Sequence, residues 1–196
     1  MKGWFWLWSW LDALYFACSR LRYVNRKEKN IFRVKLLTYR GKSLVLSCGT
    51  RVNPNDMLLK IHLHNCLLMH ELASMASDTK RALYVYRRVE SSMPGLAQFL
   101  SAHPQKDKIK GIIGVTLLSR GVARLGFEVK DIPNPYYRAM RQLYMKPLFL
   151  LCHTDKNTRP KAEHLVPKFL VMPTEFILNK YLPEASPGKT SIPQTK

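Results

Sequence analysis

His62 and His64 stand two residues apart and are followed at once by Asn65. On a strand, residues i and i+2 leave the same face about 7 Å apart, so two imidazoles at this spacing can act on one ligand. Neutral imidazole is a general base, a hydrogen-bonding group and a metal ligand. A metal site would need a third donor, for which His70, His153 and Asp155 are the candidates; a hydrogen-bonded structural pair is the plainer alternative. The catalytic reading groups His62, His64 and Asn65 as a polar site for an anionic or sugar substrate, with Asn65 equally suited to capping a following helix.

Other catalytic templates do not fit. His70-Glu71 opens like a zinc-protease helix, but Ser74 stands where the second histidine is needed. Gly111, Gly114, Gly121 and Gly126 compose neither a dinucleotide fingerprint nor a phosphate loop, and no serine sits in a nucleophile elbow. These patterns indicate no particular cofactor or metal.

Charge points to the class of partner. Lys and Arg outnumber Asp and Glu by 32 to 13, a formal charge of +19, so an anionic ligand is the expected partner. Anionic lipid and an envelope polysaccharide intermediate are the candidates. Nucleic acid is the weaker one: exposed Tyr84, Tyr136 or Tyr137 could stack on bases, yet no recognised nucleic-acid motif occurs. The stretch from Arg20 to Lys42 is densely basic, which a solvated face explains equally well. Cys18, Cys48, Cys66 and Cys152 each lie in an apolar run and never at C-x-x-C spacing. They read as small buried hydrophobes in a reducing cytoplasm.

The elements that must position these groups begin with an aromatic helix over residues 1–20. Its tryptophans fill four of the seven positions from Trp4 to Trp10. The run is shorter than the ~20 residues a span requires, carries Asp12, ends at Arg20 and Arg22, and has no small-x-small cleavage site after it. Such a helix closes a core, or lies in a membrane interface with Trp4 and Trp8 at headgroup level and Arg20 and Arg22 on anionic lipid.

Farther along, Ile31 to Tyr39 alternates as a half-buried strand with Arg33 and Lys35 on its polar side, and a turn at Arg40-Gly41-Lys42 predicts a hairpin with Ser43 to Cys48. Met57 to Leu63 is a third strand, leading into a helix from about Cys66 to Glu90. Ser92-Met93-Pro94 is expected to break that helix and start a short second one. Strands follow at 109–118 and 127–132, with a short helix closed by Gly126 between them. A helix from Pro135 is expected to end at Pro147, and a strand at 166–172 precedes a terminal helix that stops before Pro183. The fold expected is α+β, a single domain over 1–183 with a mixed or antiparallel sheet, an N-terminal hairpin and packed helices. Residues 184–196 have nothing to bury and read as a disordered tail.

This order of segments resembles the YkoP-like domain family of bacilli. The resemblance rests on Leu11-Asp12 with Tyr15, Ile31-Phe32-Arg33-Val34, Tyr39-Arg40-Gly41, Leu58 through Asn65 with its His-x-His-Asn ending, Gly121 to Phe127, and Phe176 to Tyr181. Similar domains, of uncharacterised function, occur fused to polysaccharide deacetylase modules, which implies a setting in cell-envelope polysaccharide metabolism. This chain has no paired-aspartate and His-x-x-x-His pattern, so the implied role is accessory or binding rather than deacetylation. The leading expectation is therefore a binding domain, cytoplasmic and peripheral on the inner face of the cell membrane; an enzyme built on His62, His64 and Asn65 is the alternative.

Overall fold

The computed structural model describes residues 21–25, 28–72, 75, 77–117, 121–152 and 165–182. The expected aromatic helix with Trp4, Trp8 and Arg20, the candidate donors His153 and Asp155, and the tail from 184 lie outside the described residues. Arg22 is described, and it occupies an exposed strand position.

Period-two alternation builds the sheet. Its strands are β1 (Arg22–Tyr23), β2 (Phe32–Thr38), β5 (Met57–Leu63), β6 (Ile109–Thr116), β7 (Glu128–Asp131) and β8 (Lys168–Pro173), while β3 (Leu44–Val45) and β4 (Arg51–Val52) form a separate two-stranded ribbon. Strand order in the main sheet is β1-β2-β5-β6-β8-β7, with β5–β6 parallel and every other pair antiparallel. The helices are α1 (Asn65–Leu72), α2 (Asp78–Ser101), α3 (Pro135–Cys152) and α4 (Thr174–Tyr181). The expected α+β class with a mixed sheet and an N-terminal hairpin is what the chain adopts.

The hairpin's strands differ from the expected pair. It joins β1 to β2, and the other edge of β2 is taken by β5 rather than by Ser43 to Cys48. Backbone bonds from Tyr39 N to Asp56 O (2.8 Å) and from Asn55 N to Tyr39 O (2.7 Å) close β2 on β5, so the β3–β4 ribbon is an insertion at the tip of that pair. Cys48 sits in the ribbon's turn and is exposed, its Sγ 3.2 Å from the Thr50 hydroxyl, and is not the buried hydrophobe expected.

The helix breaks also fall elsewhere. The predicted 66–90 helix divides after Leu72, and α2 begins at Asp78 and runs unbroken through Pro94. A mid-helix proline costs about 3 kcal/mol. Met93, Leu96 and Leu100 are fully buried in the same two turns, and each side chain contributes about 1.5–3 kcal/mol, which outweighs that cost. Helix α3 likewise continues past Pro147 to Cys152.

Helices α2 and α4 cover one face of the sheet, where Val34, Leu59, Ile61, Ile112 and Met172 meet Met93, Leu96 and Ile177. The opposite face buries Leu58, Ile113, Phe169 and Val171 under Leu44, Leu46 and Val52 of the ribbon and Tyr137 of α3. Strand β8 is apolar toward both faces, as a central strand must be, with Pro167 placed just before its first ladder residue.

A buried polar knot ties β2 to α2. Asn30 Nδ2 donates to the Ser92 carbonyl (2.9 Å), Ile31 N to the Ser92 hydroxyl (3.3 Å), and Phe32 N to Asn30 Oδ1 (2.9 Å). Gly95 permits the approach, since a Cβ there would lie 2.6 Å from Asn30 Nδ2.

Candidate functional site

Directly paired residues on antiparallel strands share a face. Across β2 and β5 on the ribbon side, the pairs run Leu37–Leu58, Lys35–Lys60 and Arg33–His62, so the face changes from apolar to cationic within two steps. The ribbon covers the apolar end, where Leu37 and Leu58 join its core. Tyr23 of β1 is paired with Arg33 and extends the last row to Tyr23–Arg33–His62.

Arg33 is 4% exposed, so of the two readings open for the basic stretch a solvated face does not hold at this residue. Its Nη2 donates to Tyr23 Oη (3.1 Å), and its guanidinium carbon lies 5.1 Å from that ring's centroid. The same ring meets His64 edge-on at 5.7 Å and 66°. His64 terminates β5: its amide donates to the Ile31 carbonyl (2.8 Å), and its carbonyl accepts from Leu68 N (3.1 Å) to open α1. Asn65 is thus the first helical residue, one position past the cap expected of it.

From α3, Arg141 reaches this face. Its guanidinium carbon lies 4.9 Å from the Tyr137 ring centroid, and Tyr137 packs on Phe169 at 6.2 Å. Arg141 Nε is buried and meets no hydrogen-bond acceptor among the described residues.

The electrostatics follow from this crowding. Burial first, then the charges of Arg141 and Lys35, lower the Lys60 ammonium to a pKa of about 8. Burial, reinforced by Lys60, Arg141, Lys35 and Arg33, lowers the His62 imidazolium to about 3, so His62 is neutral across the physiological range. Among the described residues, Lys35, Lys60 and Arg141 have no carboxylate partner.

The predicted site residues therefore come together only in part. His62 and His64 are linked through Tyr23 and Arg33, and His70 is exposed in α1. No three His, Cys, Asp or Glu side chains among the described residues form a metal-holding group. The sequence reading missed Lys35, Lys60 and Arg141. The first two were legible in the alternation Arg33-x-Lys35 against Lys60-x-His62; Arg141 carried no local signal.

The model of the YkoP domain matches residues 1–181 of the chain. YkoP of Bacillus subtilis strain 168, described as an uncharacterized protein, is 43% identical over 161 residues, covering 81% of this chain and 88% of that protein. No solved structure matches the chain. The match to nearly the whole chain, with a relative this similar over most of both lengths, places the protein in the YkoP domain family.

Proposed function

We propose that the protein is a binding domain for an anionic ligand, accessory rather than catalytic, working at the cytoplasmic surface of the cell membrane in cell-envelope polysaccharide metabolism. The observation that carries this reading is the cationic half of the ribbon-side face, where Lys35, Lys60 and Arg141 converge with no carboxylate partner among the described residues. A general acid must carry a proton at working pH, and an imidazole neutral down to about pH 3 does not, which favours binding over acid catalysis at His62.

Two features support a membrane setting. On α3, Tyr136, Met140 and Leu143 are 86%, 53% and 78% exposed at helical spacing, an apolar stripe on a strongly basic protein. No helix among the described residues is long and apolar enough to cross a bilayer, so contact through these residues is interfacial.

Flotation with phosphatidylglycerol-rich vesicles tests the reading. The full chain floats at low salt, releases as salt rises, and ignores phosphatidylcholine vesicles; a double Trp4→Ser, Trp8→Ser variant binds more weakly. Failure to float on acidic vesicles at any salt removes the membrane proposal, whereas saturable binding to DNA in its place favours the nucleic-acid reading.

A further inference from the structure

We propose that Lys35, Lys60 and Arg141 together seat one phosphate group, a phosphomonoester or diphosphate of a soluble or lipid-borne ligand, on the ribbon-side face of the sheet. The proposal rests on the anionic-ligand reading above and gives that ligand its chemistry.

Register puts Lys35 and Lys60 directly opposite one another, so their stems rise side by side from the same face. Like charges in that relationship destabilise a sheet pair unless something negative lies between them. No ion pair among the described residues supplies it: Asp56 pairs with Lys110, Glu71 with Arg88, Glu128 with Lys130 and Asp131 with Lys168. A third cation, Arg141, is brought in from the helix above instead.

Arg141 is also held ready. Its guanidinium rests on Tyr137, Tyr137 rests on Phe169 in the core, and the buried Nε–H meets no acceptor among the described residues. Two flexible ammonium groups and one planar fork suit a tetrahedral oxyanion with several acceptor oxygens. A carboxylate brings one charge to three cations, while a phosphomonoester or diphosphate brings two or more and comes closer to neutrality. His62, held neutral beside them, adds no repulsion.

Proton linkage is a consequence. The charged groups facing Lys60 are Lys35 from β2 and Arg141 from α3, with neutral His62 on β5 and Ile113 opposite on β6. An ammonium lowered to about 8 in the empty protein is raised when a dianion sits against it. Binding at pH 8 therefore takes up a proton, and affinity falls as pH climbs from 7 to 9.

Titration calorimetry of the full chain with inorganic pyrophosphate, in buffers of different ionisation heat, tests the site. Saturable binding at moderate salt, with net proton uptake at pH 8, is expected. Lys60→Met and Arg141→Met each weaken it about tenfold to a hundredfold, the range for charge-assisted bonds. Lys80→Met, a charge-matched change at an exposed position of α2, leaves it within about twofold. Lys35→Met, at an exposed strand position, repeats the loss without disturbing buried structure.

Phosphatidic acid vesicles distinguish the sources. Loss of vesicle binding in Lys60→Met together with loss of pyrophosphate binding assigns the site to a lipid phosphate; loss of pyrophosphate binding alone assigns it to a soluble one. No saturable pyrophosphate binding, or equal weakening in Lys80→Met, overturns the site. In that event continued flotation on phosphatidylglycerol leaves the membrane reading standing, and its loss removes both.

Discussion

Lys35 and Lys60 are paired directly across the β2–β5 ladder, two lysines on one face, with the positive charge of Arg141 acting on Lys60. The empty protein bears the cost of this arrangement. Replacing Lys60 with Met keeps the stem and removes a half-buried charge, so Lys60→Met should stabilise the ligand-free fold by about 1–3 kcal/mol at pH 7. Urea unfolding midpoints measure the difference, and a lower midpoint for the variant would contradict it.

Linkage fixes the pH window of that difference. Lys60 is lowered to about 8 in the fold from 10.5, so between these values the unfolded chain holds the proton and the native state does not. Stability then rises with pH through the window, and the penalty is complete below it. The advantage of Lys60→Met over the parent should therefore shrink from pH 8 to pH 10. A constant advantage across that range would show that the lysine is not the titrating group.

His62 gives the acid-side counterpart. Its imidazolium is lowered from 6.5 to about 3, so between those values the unfolded chain binds a proton that the folded chain refuses. Stability accordingly falls as pH drops from 6.5 toward 3, by a few kcal/mol. In His62→Gln this acid slope should be shallower by about one proton. Proton NMR offers a direct check: the His62 ring signal stays flat down to pH 4.

The knot between Asn30 and Ser92 makes a separate prediction about stability alone. Ser92→Ala leaves the buried Ile31 amide without its acceptor and should cost about 1–3 kcal/mol. Gly95→Ala drives a methyl against Asn30 Nδ2 and should cost a similar amount. Pyrophosphate affinity, measured where both variants are folded, should be unchanged, since neither residue belongs to the cationic face.

On α3, Leu143 is exposed and carries no packing role among the described contacts. Leu143→Ser should leave the unfolding free energy within about 0.5 kcal/mol of the parent and weaken vesicle binding several-fold. An unchanged vesicle affinity would remove α3 from the membrane face.

The parts of the fold legible in the sequence were those dictated by local period. Met57–Leu63 has the strand bounds its apolar run predicts, and Gly126 closes its short turn with φ of 97°, a region open to glycine at little cost. Long-range competition decided the rest. The tight turn at Arg40-Gly41-Lys42 signals a local hairpin, yet β2 gains a seven-residue partner in β5, and two-residue β3 is left to pair within the ribbon. Pro94 reads as a breaker because its neighbours' burial against the sheet is invisible in one dimension. For the site, Arg33 and Lys35 looked like one polar edge. Lys60 and Arg141 turn that edge into a converging set only after β5 and α3 have folded over it.

Strand β8 lies between β6 and β7, although the chain makes it last of the three. During translation, a ribosome that has emitted residues up to 152 has already released β6 and β7, but nothing yet joins them. Until Lys168–Pro173 emerges, β6 presents an apolar ladder edge that any other extended chain can occupy. A hazard of mispairing thus persists until β8 emerges, and truncation between α3 and β8 should yield more insoluble material than the chain through 196.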